Sequence, residues 1–468
     1  MRSARLLALL AAPLTLVGGC TTFESIGSQM ASTVGLTEAA PRAYTSSAVS
    51  QARRTGIAVA DEPYAARAGA AALAADGNAV DAVTTMFFTL SATYPVAAGL
   101  GAGGICLVRD TNGRVVEFDF LTRQPRGGGA YAIPGAVRGF HDMQTLYGAL
   151  PWQRTVGPGE AYAATGFAIS QALAARLAES QNIVRLDASL AAEFLDESGQ
   201  PRAAGTEARN VPLSQTMTQI RLDGADGFYK GATAQRIVAW SGSQGGAITI
   251  DELTATAAKQ TAPRQRRTGG LTAWLPGPGT GAGAFSGALL DNLARSGGNE
   301  AAVAAAARQT LAAFGVASLP RDLGSTGFAA VDASGQAASC AITLNGPFGS
   351  GRTAGGTGVQ LAASPAGAAG LASAFLAPVL GVNEQGVALA GAGAGGPNGA
   401  AAMAHALLQA AQGRQLGRRG DLRGTGNAPY DTVNVISCDR EACVALVDPG
   451  AHGMGTVAEI VTPPVIKP

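Results

Sequence analysis

Apolar and polar positions alternate between two periods along this chain, and the switches mark its elements. Ile57 to Ala60 is a short apolar run that predicts a buried strand. Tyr64 to Ala75 is alanine-rich and helical, and Asp76-Gly77 stops it. Asn78 is placed to cap a second helix, Ala79 to about Ala92, which ends ahead of Pro95. Ile105 to Arg109 and Val115 to Phe120 read as strands joined by a turn at Thr111-Asn112-Gly113. Helical spacing resumes after Ile133 and dominates from about Thr155 to Asn210; Thr249 and Glu252 form a capping pattern for a short helix. A hairpin follows late in the chain, with strands Phe328–Val331 and Ala337–Leu344 around a turn at Asp332–Gly335. Gly386 to Ala390 predicts one more strand, followed by a glycine run and an alanine-rich helix from Ala400 to about Gln412.

The 468 residues suffice for one large domain or two ordinary ones, and no internal repeat is visible. A net charge of +1 argues against nucleic acid as a partner. His141, His405 and His452 are far apart, and there is no H-E-x-x-H and no paired C-x-x-C, so no metal site and no cofactor are expected. The absence of G-x-S-x-G and of G-x-x-x-x-G-K-[ST] removes the common serine-hydrolase and P-loop readings.

Residues 1–20 have the layout of a targeting segment: Arg2 and Arg5, an apolar core from Leu6 to Val17, then V-G-G-C. The core is too short to span a bilayer. Its ending resembles a bacterial lipoprotein box with Cys20 as the lipidated residue, and Thr21 after it favours the outer membrane. The expectation is a periplasmic protein touching the membrane through its lipid only, with residues 21–52, rich in Ser, Thr and Ala, as a tether. Export implies an oxidising compartment. Cys438 and Cys443 flank D-R-E-A and suit a disulfide-closed loop; Cys106 and Cys340 sit in strands, where buried thiols and a bridge are both open.

Candidate chemistry lies at the mouth of the late hairpin, where Ser325 and Thr326 stand between Gly324 and Gly327. A hydroxyl is a weak nucleophile without a base beside it. Cutting the chain just before the hydroxyl residue supplies one, its own α-amine, with a pKa of about 7.7–8.0. A glycine-flanked turn with no chemistry is the plain alternative.

The runs S-T-G-F-A-A-V-D, A-S-G-Q-A, T-L-N and F-G-S-G resemble the opening of the small subunit in the γ-glutamyltranspeptidase family. D-G-N-A-V-D-A, G-L-G-A-G-G, I-P-G-A-V-R-G-F, D-G-F-Y-K-G and G-G-A-I-T-I-D-E-L resemble other runs of that family, in order, over about residues 55–460. The resemblance implies an α+β fold, the four-layer αββα sandwich of N-terminal-nucleophile hydrolases, with a large-subunit-like region at 53–324 and a small-subunit-like region at 325–468. It implies cleavage between Gly324 and Ser325 into two fragments. Ser325 becomes the nucleophile, Thr343 hydrogen-bonds it, and Gly395-Gly396 offer N–H groups to the oxyanion. Asn345 and Thr326 are expected to line the substrate site, and the substrate is a small amide or peptide.

Several positions depart from the family pattern. Serine stands for threonine at the nucleophile, and Gly327 for the usual histidine. The arginine that grips the donor carboxylate is replaced by Leu121; Arg123, two residues on and on the same face of an extended chain, is the candidate to bind substrate in its place, with a solvated surface arginine as the alternative. Leu361–Gly367 lacks the acid that holds the donor amine, and Ala374 and Phe375 replace two serines. An amidohydrolase or acyl transferase with an altered donor pocket is one outcome; a non-catalytic family member binding a periplasmic ligand is the other. A dinucleotide site at Gly391, Gly393 and Gly396 is a third, weaker reading, because no βαβ unit precedes it.

Overall fold

A computed structural model describes residues 49–52, 56–296, 300–414, 416, 430–440, 442–448 and 451–458. The signal segment, Cys20 and most of the tether lie outside them. Fourteen strands build two sheets: β1 (Val49–Ala52), β2 (Ile57–Ala60), β3 (Gly103–Arg109), β4 (Val115–Asp119), β5 (Lys259–Thr261), β6 (Arg264–Thr268), β7 (Leu271–Leu275), β8 (Ser325–Val331), β9 (Ala337–Thr343), β10 (Ala377–Asn383), β11 (Gly386–Ala394), β12 (Thr432–Cys438), β13 (Ala442–Val447) and β14 (Met454–Val457). One sheet runs β1-β13-β12-β11-β10-β7-β6 and the other β14-β2-β8-β9-β3-β4-β5.

Neighbouring strands are antiparallel throughout both sheets. That topology removes the dinucleotide reading. Gly391 and Gly393 lie inside β11, antiparallel to both its neighbours, whereas a Rossmann loop leaves a parallel strand.

The layers follow from which faces are apolar. Helices Pro63–Ala74 and Ala79–Thr93 pack on the β8-containing sheet through Met86, Phe87, Phe140 and Phe328. Asn78 and Asp81 form the expected capping box at the start of the second helix. Helices Gly281–Ser296, Glu300–Ala313 and Pro397–Ala411 cover the other sheet through Phe285, Leu289, Leu407 and Val433. Between the sheets, Val59, Leu107, Ala329, Leu380 and Ile436 form a third core. Phe87 and Phe140 stack with ring centroids 4.2 Å apart; deleting such a buried ring costs about 3–5 kcal/mol. Cys106 and Cys340 are directly opposed on β3 and β9 and are disulfide-bonded, as are Cys438 and Cys443 across β12 and β13.

Candidate active site

Ser325 opens β8 and pairs with Thr343, the last residue of β9, so both hydroxyls stand at one end of the sandwich. Ser325 Oγ lies 3.0 Å from Thr343 Oγ1 and 3.2 Å from the Leu323 carbonyl oxygen. Thr343 Oγ1 is 3.1 and 3.3 Å from the carbonyl oxygens of Leu323 and Gly324, and it accepts the Asn345 N–H at 2.9 Å. The threonine hydroxyl therefore fixes the serine and the chain leading into it at once. Ser325 is 1% exposed, hidden by the segment that precedes it.

Gly324 has φ +59, and a Cβ there would stand 1.8 Å from the Gly346 carbonyl oxygen. Only glycine fits. Its carbonyl accepts the Leu344 N–H at 2.9 Å, and its N–H donates to Asp322 Oδ1 at 2.7 Å. Gly324 is thus held through both its own N–H and its own carbonyl, the latter being the carbonyl of the peptide bond to Ser325. Pro320 and Arg321 are exposed, but Gly324 is buried and Asp322 pairs with the buried Arg176 at 2.6 Å.

Asn345 is buried near this point. Its amide nitrogen donates to Thr122 Oγ1 at 3.0 Å and to the Ala363 carbonyl at 2.9 Å. Its Oδ1 is buried without a hydrogen-bond partner among the described residues. Gly395 and Gly396 follow β11 and lead into helix Pro397–Ala411, with Gly396 as its N-cap. Gly395 has φ +92, and a Cβ there would fall 1.6 Å from the Tyr430 carbonyl oxygen. A Cβ on Gly396 would meet Leu323, two residues before the serine, at 3.8 Å. The glycine pair thus adjoins the chain leading into Ser325, and a helix N-terminus there favours negative charge.

Two expected binding residues lie elsewhere. Thr326 points away from Ser325, as strand alternation requires. Its hydroxyl donates to Asp61 Oδ2 at 2.6 Å and is fully buried, so it does not line a substrate site. Arg123 is exposed, and its backbone bridges Ile133; no hydrogen bond or ion pair among the described contacts ties its side chain to the site. Thr122, its neighbour, reaches the site instead. Leu121 is half-buried against Ile105, Ala341 and Leu376, and Phe375 packs edge-on to Phe285 at 4.9 Å. Both side chains are thus held in apolar packing.

Asp61 is a buried structural hub behind β8 that pattern reading missed. It follows β2 directly and is wholly buried. Besides Thr326, it accepts from Thr432 Oγ1 at 2.9 Å and Asn434 Nδ2 at 2.6 Å, and Asn434 also donates to the Gly327 carbonyl at 2.8 Å. Desolvation raises its pKa above the usual carboxylate range, against the three side-chain hydrogen bonds. One carboxylate thus joins the strand that begins with Ser325 to the strand paired with the end of β11. A lone acid closing an apolar strand was the available signal.

The chain can be set beside known proteins on this basis. The family model described as gamma-glutamyltranspeptidase matches residues 65–313, a span that ends before Ser325. The glutathione hydrolase proenzyme of Pseudomonas sp. (strain A14) is 28% identical over 229 residues, 44% of this chain and 40% of that protein. The acylase ACY 1 proenzyme of Pseudomonas sp. (strain SE83) is 26% identical over 225 residues, 42% of this chain and 40% of its own length. The chain spans 37–40% of the length of the first curated relatives it matches. Cephalosporin acylase from Bacillus halodurans superposes with a TM-score of 0.69 at 16% identity, covering 90% of this chain and 98% of that one; this likeness concerns the fold, an N-terminal-nucleophile hydrolase sandwich. With more than half of its residues matched by the family model, and with that fold, the chain belongs to the γ-glutamyltranspeptidase family.

Proposed function

We propose that this protein is a self-processing amide hydrolase or acyl transferase with Ser325 as nucleophile. Ser325 Oγ attacks the Gly324 carbonyl carbon, the Gly324–Ser325 C–N bond breaks, and an ester forms with the serine nitrogen as leaving group. Water then cleaves the ester, leaving Gly324 with a carboxylate and Ser325 with a free α-amine. In turnover that amine takes the proton from Ser325 Oγ as it attacks a substrate amide, and returns it to the departing amine. The N–H groups of Gly395 and Gly396 hold the oxyanion. Water or an acceptor amine resolves the acyl-enzyme. The observation that carries this reading is the Ser325–Thr343 pair, 3.0 Å apart beside a glycine that alone fits its place.

The likeness to hydrolase and acylase proenzymes favours catalysis over a non-catalytic binding role. Leu121, Ala374 and Phe375 at the clamp positions support a donor preference unlike that of the glutathione hydrolases. Attachment to the outer membrane through Cys20, on the periplasmic side, belongs to the same proposal and rests on residues 1–20. Denaturing electrophoresis with mass spectrometry tests the core of it. Wild type should give fragments meeting at Gly324/Ser325, and Ser325→Ala one intact chain. A wild-type chain that stays whole, with no amidase activity, overturns the proposal.

A further inference from the structure

Arg176 has no part in the reaction just described, yet it is buried next to the bond to be cut. It lies on the apolar face of helix Gln171–Glu179, between Leu173 and Leu177, and is 0% exposed. A guanidinium there costs several kcal/mol unless it is paired. Its Nη2 stands 2.6 Å from Asp322 Oδ1, and its Nη1 3.4 Å from the Tyr94 hydroxyl, with Cζ 5.6 Å from the Tyr94 ring centroid. Its Nε and Asp322 Oδ2 are buried without hydrogen-bond partners among the described residues. The Asp322 oxygen bound by Arg176 also accepts the Gly324 N–H at 2.7 Å. The anion that neutralises Arg176 is therefore carried on the acyl side of the scissile bond.

Cleavage makes Gly324 a chain end. When that end leaves the site, Asp322 goes with it, and the buried Arg176 keeps the Tyr94 hydroxyl as its hydrogen-bond partner while Asp61 and Asp431 act on it only through space. We infer that Arg176 determines which acyl donors are accepted, by pairing with a carboxylate that takes the place Asp322 vacates. This rests on the Ser325 reading. It gives the site a cation that Leu121 cannot supply, from a different element of the fold. It also assigns Asp322 a role as internal stand-in for the donor while the chain is uncut. The span is short: Oδ1 is 2.7 Å from the Gly324 nitrogen, which standard backbone geometry places about 2.5 Å from the carbonyl carbon, so the anion sits within roughly 5 Å of the reacting atom. Succinyl and glutaryl groups have that reach.

The test compares glutaryl p-nitroanilide with pentanoyl p-nitroanilide, in which a methyl replaces the carboxylate, on the processed wild-type protein. The glutaryl donor should be favoured in kcat/KM by about 100-fold or more, since a buried charge left unpaired is rejected strongly. In Arg176→Gln the two rates should converge. Because that variant loses a buried pair and could fail to fold, free glutarate provides a second readout. It should raise the melting temperature of the cut wild type and leave the uncut Ser325→Ala chain unmoved, where Asp322 still fills the place. Equal rates for the two anilides, or glutarate indifference in the cut protein, overturn the role of Arg176 alone. Cut protein that is stabilised by glutarate but hydrolyses neither anilide sinks the nucleophile assignment and leaves the anion site standing. A chain that is never cut overturns both.

Discussion

Removing the Asp61 carboxylate should weaken the fold far more than neutralising it. Asp61→Ala leaves three buried donors, on Thr326, Thr432 and Asn434, without their acceptor. Asn434 keeps its bond to the Gly327 carbonyl, so the larger loss falls on the two hydroxyls. At about 1–3 kcal/mol for each unsatisfied buried group, the variant should lose about 3–5 kcal/mol. Asp61→Asn preserves shape. Its oxygen still accepts from Asn434, and its two amide protons meet hydroxyls that rotate to accept them. It also removes a carboxylate whose charge burial disfavours. Because the folded-state pKa is raised, the folded chain holds the proton more tightly than the unfolded one. The stabilising contribution is complete below the ordinary value of 3.8 and is lost as pH rises through the raised one. The asparagine variant should therefore match wild type near pH 4 and exceed it at pH 8. Urea denaturation, with every chain in the uncut Ser325→Ala background, measures all three proteins on one footing. An alanine variant within about 0.5 kcal/mol of its parent would refute the hub, since that is the scale of ordinary surface substitutions.

Two further outcomes are expected. Gly395→Ala places a Cβ 1.6 Å from the Tyr430 carbonyl oxygen at φ +92, so kcat should fall about 10²–10³-fold, the usual loss for a disturbed oxyanion hole. Fragments meeting at Ser325 should still form, because the Gly324 carbonyl is bound by the Leu344 N–H; loss of cleavage together with turnover would refute the separation of the two steps. Glu62, buried under the helix it caps, has its pKa pushed up from 4.5 to about 7, chiefly by desolvation. Wild type should therefore lose about 3 kcal/mol of stability relative to Glu62→Gln between pH 4.5 and 7, read from paired melts across that window.

Much of this architecture was legible because short-range pattern decides it. Asn78 caps its helix as read, and the Ser325 hairpin forms around Asp332–Gly335. Ends were less legible: β11 runs on to Ala394, because its glycines and alanines are small enough to lie in a buried central strand, and the following helix starts at Pro397. Asp61 meets its partners across sequence separations of 265, 371 and 373 residues. No local period encodes such a meeting. Arg176 hid within a helical apolar stripe, where its charge looked like an interruption of the pattern. Thr326 illustrates the opposite error: adjacency to Ser325 in sequence suggests a shared site, and the pleat sends the two side chains to different places.

The strand order of the two sheets has a final consequence. Strand β2 lies between β8 and β14, and β3 pairs with β9, while β10 to β13 are flanked by β1 and β7. A chain opened at Ser325 is therefore two interleaved halves stitched together along several ladders. Its pieces should travel as one particle through any separation that spares the fold, and part only when both sheets melt.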